Sequence, residues 1–165
     1  MSIDMNDRVA VERRLWEEIE RHQVGMLGVV GRLAHHTQPM TAFVEREAEE
    51  IWFFTRSDSD LAQHVGAGHK GMFVFQQREL QACICGQLTV QHDQARIDKY
   101  WNAVVAAWYP QGKSDPKLTL LKMTCEDADV WISQGGPVKF AWEIALANAT
   151  RHEPHVAGRA NLHFH

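Results

Sequence analysis

A chain of 165 residues that is 45% hydrophobic and 23% charged fits one domain with its own core, spanning residues 1–165. A formal charge of −4 and the lack of any Lys/Arg block of five or more argue against a nucleic-acid binder, which needs clustered cations for phosphate contacts. No run approaches the length of a membrane span, and the polar, acid-bearing N-terminus lacks the apolar core of a signal peptide.

In chain order, Val11, Leu15 and Ile19 recur every four residues with Trp16 beside them, which predicts a helix over 8–22. Residues 24–30 read as the first strand, followed by a loop over 31–37. Pro39 lacks a backbone donor and suits the opening of a second strand over 40–46. The aromatic run 51–55 is the third strand. Ser57, Asp58 and Ser59 then offer caps for a helix over 60–67. Strands at 70–77 and 80–91 follow. In the second, Leu80, Ala82, Ile84, Gly86, Leu88 and Val90 alternate with polar or small residues, so one face is apolar. A helix over 93–108 carries Ile97, Tyr100, Trp101, Val104, Val105 and Trp108 on one face, and Pro110 and Gly112 end it. Residues 118–123 and 128–132 form a last strand pair, 138–149 a final helix, and the remaining tail shows little periodicity. The sum is a mainly β fold: a small antiparallel barrel with flanking helices.

Three stretches could build a site. They are Thr37–Gln38–Pro39–Met40, the run 53–59, and the aromatic helix end at Trp101, Trp108 and Tyr109. Small hydroxyls after a strand can meet a phosphate, and aromatics with a methionine can flank a flat ring, the two needs of flavin mononucleotide (FMN). By spacing alone the same residues read more readily as core aromatics and helix caps. Ten histidines include the pairs His35–His36, His64–His69, His152–His155 and His163–His165, but no set has structural or catalytic zinc spacing, and no specific metal site is expected. Cys83, Cys85 and Cys125 cannot all pair within one chain, and reduced thiols in a cytoplasmic setting are the simplest reading. Neither G-x-S-x-G nor G-x-G-x-x-G occurs, so hydrolase and dinucleotide-fold readings have no support.

The runs QPM at 38–40, IWFFTRSDS at 51–59 and YWN…AAWYPQGKSDPKLTLLK over 100–122, with PVKFAWEIALANAT at 137–150, resemble bacterial general stress proteins of the pyridoxamine 5′-phosphate oxidase-like, FMN-binding split-barrel class. The resemblance implies a six-stranded antiparallel split barrel and a homodimer with flavin at the subunit interface. By position, Gln38, Pro39 and Met40 would lie along the flavin. Phe53, Phe54 and Thr55 would border its ring and ribityl chain, Ser59 would meet the phosphate, and Trp108 would approach from the second subunit. Two cations usual in the family are replaced here, by Gln38 and Leu61. Charge-assisted hydrogen bonds contribute about 1.5–3 kcal/mol each, so two losses would weaken FMN binding by roughly two to four decades. The resemblance thus implies an FMN-binding protein of general stress type, with a flavin-dependent oxidoreductase of unassigned substrate as the enzymatic form of that reading. The alternative is a non-enzymatic split-barrel dimer that has lost the phosphate grip. Oxidation of pyridoxamine phosphate itself is not expected, because no matching set of basic substrate-phosphate residues is visible.

Overall fold

The computed structural model describes residues 3–31, 36–154 and 157–165. Helix α1 (Arg8–His22) is capped by Asp7, whose carboxylate accepts from the Ala10 amide. It leads into β1 (Val24–Val29), β2 (Gln38–Thr41), β3 (Phe43–Glu45) and β4 (Glu50–Arg56). Helix α2 (Asp60–Val65), β5 (His69–Gln76) and β6 (Leu80–Gln91) follow. After them come α3 (Gln94–Tyr100), α4 (Ala103–Ala106), β7 (Leu118–Ser133), α5 (Gly136–Thr150) and β8 (Ala157–His163).

All strand pairs are antiparallel, in the order β2-β1-β5-β6-β7-β4-β3, with β8 alongside β7. The two ends of that order, β2 and β3, are consecutive in the chain and separated only by Ala42, which is buried. A sheet whose two edge strands are joined by one residue has to curl round on itself. The Ala42 amide donates to the Gln23 carbonyl at 2.7 Å, continuing the β1–β2 ladder past Val24 and Thr41 up to the junction. The result is a split barrel with flanking helices, as expected, though with eight strands rather than six.

Period-two alternation fills the barrel. Leu80, Ala82, Ile84 and Leu88 of β6 point inward and meet Phe73 and Phe75 of β5, Phe53 of β4, and Leu121 and Met123 of β7. Val11, Leu15, Trp16 and Ile19 of α1 pack against the same core. A second cluster lies outside the barrel, where Phe43, Trp52 and Leu120 receive Ile97, Val105 and Tyr109. Strand β4 is therefore covered on both faces.

Three expectations change. The last strand pair is one continuous strand, β7. The register of β6 against it shifts between Cys85 and Gly86, where a Cβ on Gly86 would lie 2.2 Å from the Thr124 carbonyl oxygen. Such a bulge lets a long strand bend without ending. The helix expected over 93–108 breaks into α3 and α4, because Trp101 is extended (ψ 127°) and the Asn102 side chain accepts from the Val105 amide as a new N-cap. The aperiodic tail supplies β8, whose Ala160 and Leu162 face the core while neighbouring residues face outward.

Candidate functional site

Four segments far apart in sequence converge on one open cleft with a cavity of about 480 Å³. The end of α1 and start of β1 bring His22, Gln23 and Val24; β2 brings Pro39, Met40 and Thr41. From β4 and the turn after it come Phe54, Thr55, Arg56 and Ser59. The α4 region contributes Asn102, Val104, Val105, Trp108 and Tyr109. A cleft of this size and mixed lining is of the kind that takes a small-molecule ligand.

The cleft has two chemically distinct parts. One is a slot walled by Pro39, Met40, Phe54, Val105 and Trp108. Phe54 is held edge-on to Phe43, with ring centroids 5.6 Å apart, and to Trp101 at 6.3 Å. Trp108 is 70% exposed on the rim of its own chain's cleft. The other part is a polar corner. There Thr55 Oγ1 and Ser59 Oγ lie 3.0 Å apart, and Ser59 also accepts from the Ala62 amide, capping α2. Tyr109 OH reaches under this corner and donates to the Thr55 carbonyl at 2.8 Å, tying α4 to β4.

Among the described residues, Arg56 is the only Lys or Arg lining the cleft. Its guanidinium holds Asp58 through two bonds, Nε to Oδ1 at 3.0 Å and a terminal nitrogen to Oδ2 at 3.1 Å. Lys117 Nζ meets the same carboxylate at 3.0 Å. Hydrogen bonding to Arg56 and then Lys117 brings the Asp58 carboxyl down to about 2. Lys117 is placed by the turn before β7. Gly112 takes φ +71°, and the buried Asp115 accepts from the amides of Gln111 and Lys117. Within the run AAWYPQGKSDPKLTLLK, Gly112 and Asp115 thus have a structural duty at this turn.

Of the eight residues that the resemblance placed along the flavin, Pro39, Met40, Phe54, Thr55, Ser59 and Trp108 come together on the cleft wall. Two do not. Phe53 is fully buried and faces the barrel interior, with its ring 5.4 Å from that of Phe73. The Gln38 side chain turns along β2 to the Met40 sulfur at 3.7 Å and is not on the wall. Leu61, where the family usually has a cation, is buried in the barrel core. His35 and His155 lie outside the described residues. Among the described residues, no three His, Cys, Asp or Glu side chains are grouped to hold a metal ion. Sequence reasoning missed His22, whose Nε2 lies 3.4 Å from the buried Glu18 carboxylate, and also Thr41 and Asn102. No local pattern marks these residues, because only barrel closure brings them to the cleft.

The family model for pyridoxamine 5′-phosphate oxidase-like proteins matches residues 10–155. The chain belongs to the pyridoxamine 5′-phosphate oxidase-like family. Among solved structures of similar proteins, one assigned as general stress protein 26 from Jannaschia sp. CCS1 is 31% identical, with a TM-score of 0.78 over 94% of this chain and 99% of that one. The general stress FMN/FAD binding protein of Xanthomonas citri is 34% identical, with a TM-score of 0.72 over 78% of this chain and 93% of that one. A protein related to general stress protein 26 from Clostridium acetobutylicum, 16% identical with a TM-score of 0.64 over 98% of this chain and 97% of that one, shares the fold. No curated protein matches the chain. Among the described residues, no helix is long and apolar enough to cross a membrane.

This family member has two tyrosines, and both are held neutral. Burial pushes the Tyr109 phenol up to about 12. Burial, then the hydrogen bond to Glu45 at 2.6 Å, pushes Tyr100 up as well. The unfolded chain releases these protons near the ordinary value of about 10. Above that pH the native state therefore binds more protons than the unfolded one, so stability is full below about pH 10 and falls as pH rises toward about 12. Titration followed by phenolate absorbance should show neither tyrosine ionising at pH 10 in the folded protein and both ionising there in urea.

Proposed function

We propose that the chain binds FMN in this cleft, as a flavin-dependent protein of general stress type. The observation that carries the reading is the pairing, in one cavity, of a planar apolar slot with a polar corner holding two hydroxyls and the Arg56 guanidinium. The ring system fits between Pro39 and Met40 on one side and Phe54 and Trp108 on the other. Its phosphate fits at Thr55, Ser59 and Arg56. Support also comes from the Xanthomonas citri relative, which is described as binding FMN or FAD.

When bound, a flavin supplies reversible hydride and single-electron chemistry. This chain's residues would bind and orient it, and the aromatic wall would exclude water from one end. Neither Gln38 nor Leu61 presents a cation to the cleft, which favours a second reading: a binding protein of modest flavin affinity without turnover. Quenching of flavin fluorescence tests both. FMN should quench saturably and bind at least about tenfold tighter than riboflavin, the difference one charge-assisted phosphate contact provides. No saturable quenching by either ligand up to millimolar concentration would refute a flavin site. Equal weak binding of the two would refute the phosphate corner and leave only the slot. With FMN binding in hand, reduction of the bound flavin by nicotinamide donors separates an oxidoreductase from a carrier.

A further inference from the structure

Strand β6 runs through the middle of the sheet, between β5 and β7. Its inward residues fill the barrel. Its outward face carries Cys83 and Cys85, both half-buried and both free. Their sulfurs are near enough for a thiol–thiol hydrogen bond. On the same face Met72 of β5 stands directly opposite Cys85 and is also half-buried. On the other side Asp127 and Asp129 of β7 stand opposite Cys85 and Cys83. Asp129 is taken up by Arg159 at 2.8 Å and Asn161 at 3.1 Å. The third cysteine, Cys125, is buried in the barrel core. Neither Cys83, Cys85 nor Met72 lines the ligand cleft.

The spacing of the two thiols decides what they can do together. Side chains two residues apart on one strand face stand about 6.7 Å from each other. A disulfide needs its Cβ atoms at about 3.5–4.5 Å. Strand β6 cannot shorten to supply that, because Cys83 and Cys85 are held in the ladders to both β5 and β7. A bridging ion asks for much less. With metal–sulfur bonds of about 2.3 Å, the two sulfurs sit about 3.8 Å apart at a tetrahedral angle and about 4.6 Å apart when linear. Two thiols leaning toward each other from these positions reach that range.

We propose that Cys83 and Cys85, with the Met72 thioether beside them, form a binding site for a monovalent copper ion on the outer face of the barrel. Thiolate and thioether are soft donors, and soft donors select this ion. Zinc takes four ligands in a closed site. Among the described residues no three His, Cys, Asp or Glu side chains are grouped to hold a metal, so zinc would be left short, whereas monovalent copper is satisfied by two or three soft donors. Binding moves no electrons: one copper ion displaces two thiol protons, and the site passes from neutral to a single negative charge. Burial, then the charge of Cys85, pushes the Cys83 thiol up to about 11. Burial, then Asp127, raises Cys85 as well. Both thiols therefore hold their protons at neutral pH. The groups around them are Lys70 on β5, paired with Glu126 at 2.8 Å, Asp127 and Asp129 on β7, and His163 of β8 beyond Asp127. Of these, Lys70 acts on Cys85 in favour of the thiolate. The site does not depend on what the cleft binds.

Anaerobic competition between the full, reduced chain and the copper chelator bicinchoninate tests the site. The wild type should take one monovalent copper per chain. Its apparent affinity should rise about a hundredfold from pH 7 to pH 8, as displacement of two protons requires. C83S and C85S should each weaken binding at least about a hundredfold with unchanged far-ultraviolet circular dichroism, and C125S should bind like the wild type. Copper should also protect Cys83 and Cys85 of the wild type from alkylation by iodoacetamide, a readout that needs no variant. A wild type that cannot compete with the chelator overturns the proposal, as does copper held equally well by C83S and C85S, which would be adventitious. Displacement of the copper by excess zinc overturns the choice of ion. A Cys83–Cys85 disulfide formed in the folded protein on exposure to air overturns the spacing argument. Unchanged affinity in M72L overturns the part given to the thioether.

Discussion

Replacing Arg56 with glutamine should lower FMN affinity about tenfold to thirtyfold and leave riboflavin affinity unchanged, as loss of a partly solvated charge-assisted hydrogen bond predicts. Among the described residues Arg56 is the only Lys or Arg on the cleft wall, so no other described lining residue carries a permanent positive charge. Its side chain is 43% exposed, which places the loss toward the weaker end of such contacts. To reach a phosphate the guanidinium must leave Asp58, and the structure provides for that exchange. Lys117 remains on Asp58 Oδ2, so the carboxylate is not stranded when Arg56 turns away. Asp58→Asn should therefore raise FMN affinity a few-fold by releasing Arg56, again without changing riboflavin. Lys117→Ala should weaken FMN binding, because Arg56 would then be the sole partner of Asp58. Titration of flavin fluorescence with both ligands checks all three variants. A parallel loss for FMN and riboflavin in Arg56→Gln would mean that Arg56 shapes the slot and does not read the phosphate.

The second large effect separates two adjacent phenylalanines. Phe53→Ala should destabilise the fold by about 3–5 kcal/mol, the usual cost of emptying a buried aromatic site. For a chain of this size that corresponds to a fall in Tm of about 6–20 °C. Phe53 is fully buried and packs on Phe73, which in turn stacks on Phe75 at 6.5 Å, so the cavity would open in the middle of the barrel. Its neighbour Phe54 is only partly buried and lines the cleft. Phe54→Ala should cost less in stability and lower the affinity for FMN and riboflavin alike, because both share the ring system. Thermal unfolding and flavin titration of the two variants form a crossed comparison. If Phe53→Ala lost affinity while keeping the wild-type Tm, the two faces of β4 would be assigned the wrong way round.

Local chemistry made much of this protein legible from its sequence. The alternation in β6, the four-residue stripe of α1 and the aromatic density of β4 and β5 depend only on neighbouring residues, so helices and strands followed from them. The resemblance carried by Pro39–Met40, Phe54–Thr55, Ser59 and Trp108 named residues that the fold gathers on one wall. Tertiary structure decided what remained. Strand periodicity placed Phe53 and Phe54 on opposite faces, but with both faces of β4 buried it could not tell which faced the cleft. The hydrophobic pattern of 93–108 concealed the break at Trp101, because Asn102 caps through a hydrogen bond that leaves no mark on periodicity. The tail became β8 only because β7 offered it an edge. His22, Val24 and Arg56 became cleft residues only when the one-residue junction at Ala42 brought β2 and β3, the two ends of the sheet, together. Periodicity records which way a side chain points along its own element; what it points at is set by contacts between segments far apart in the chain.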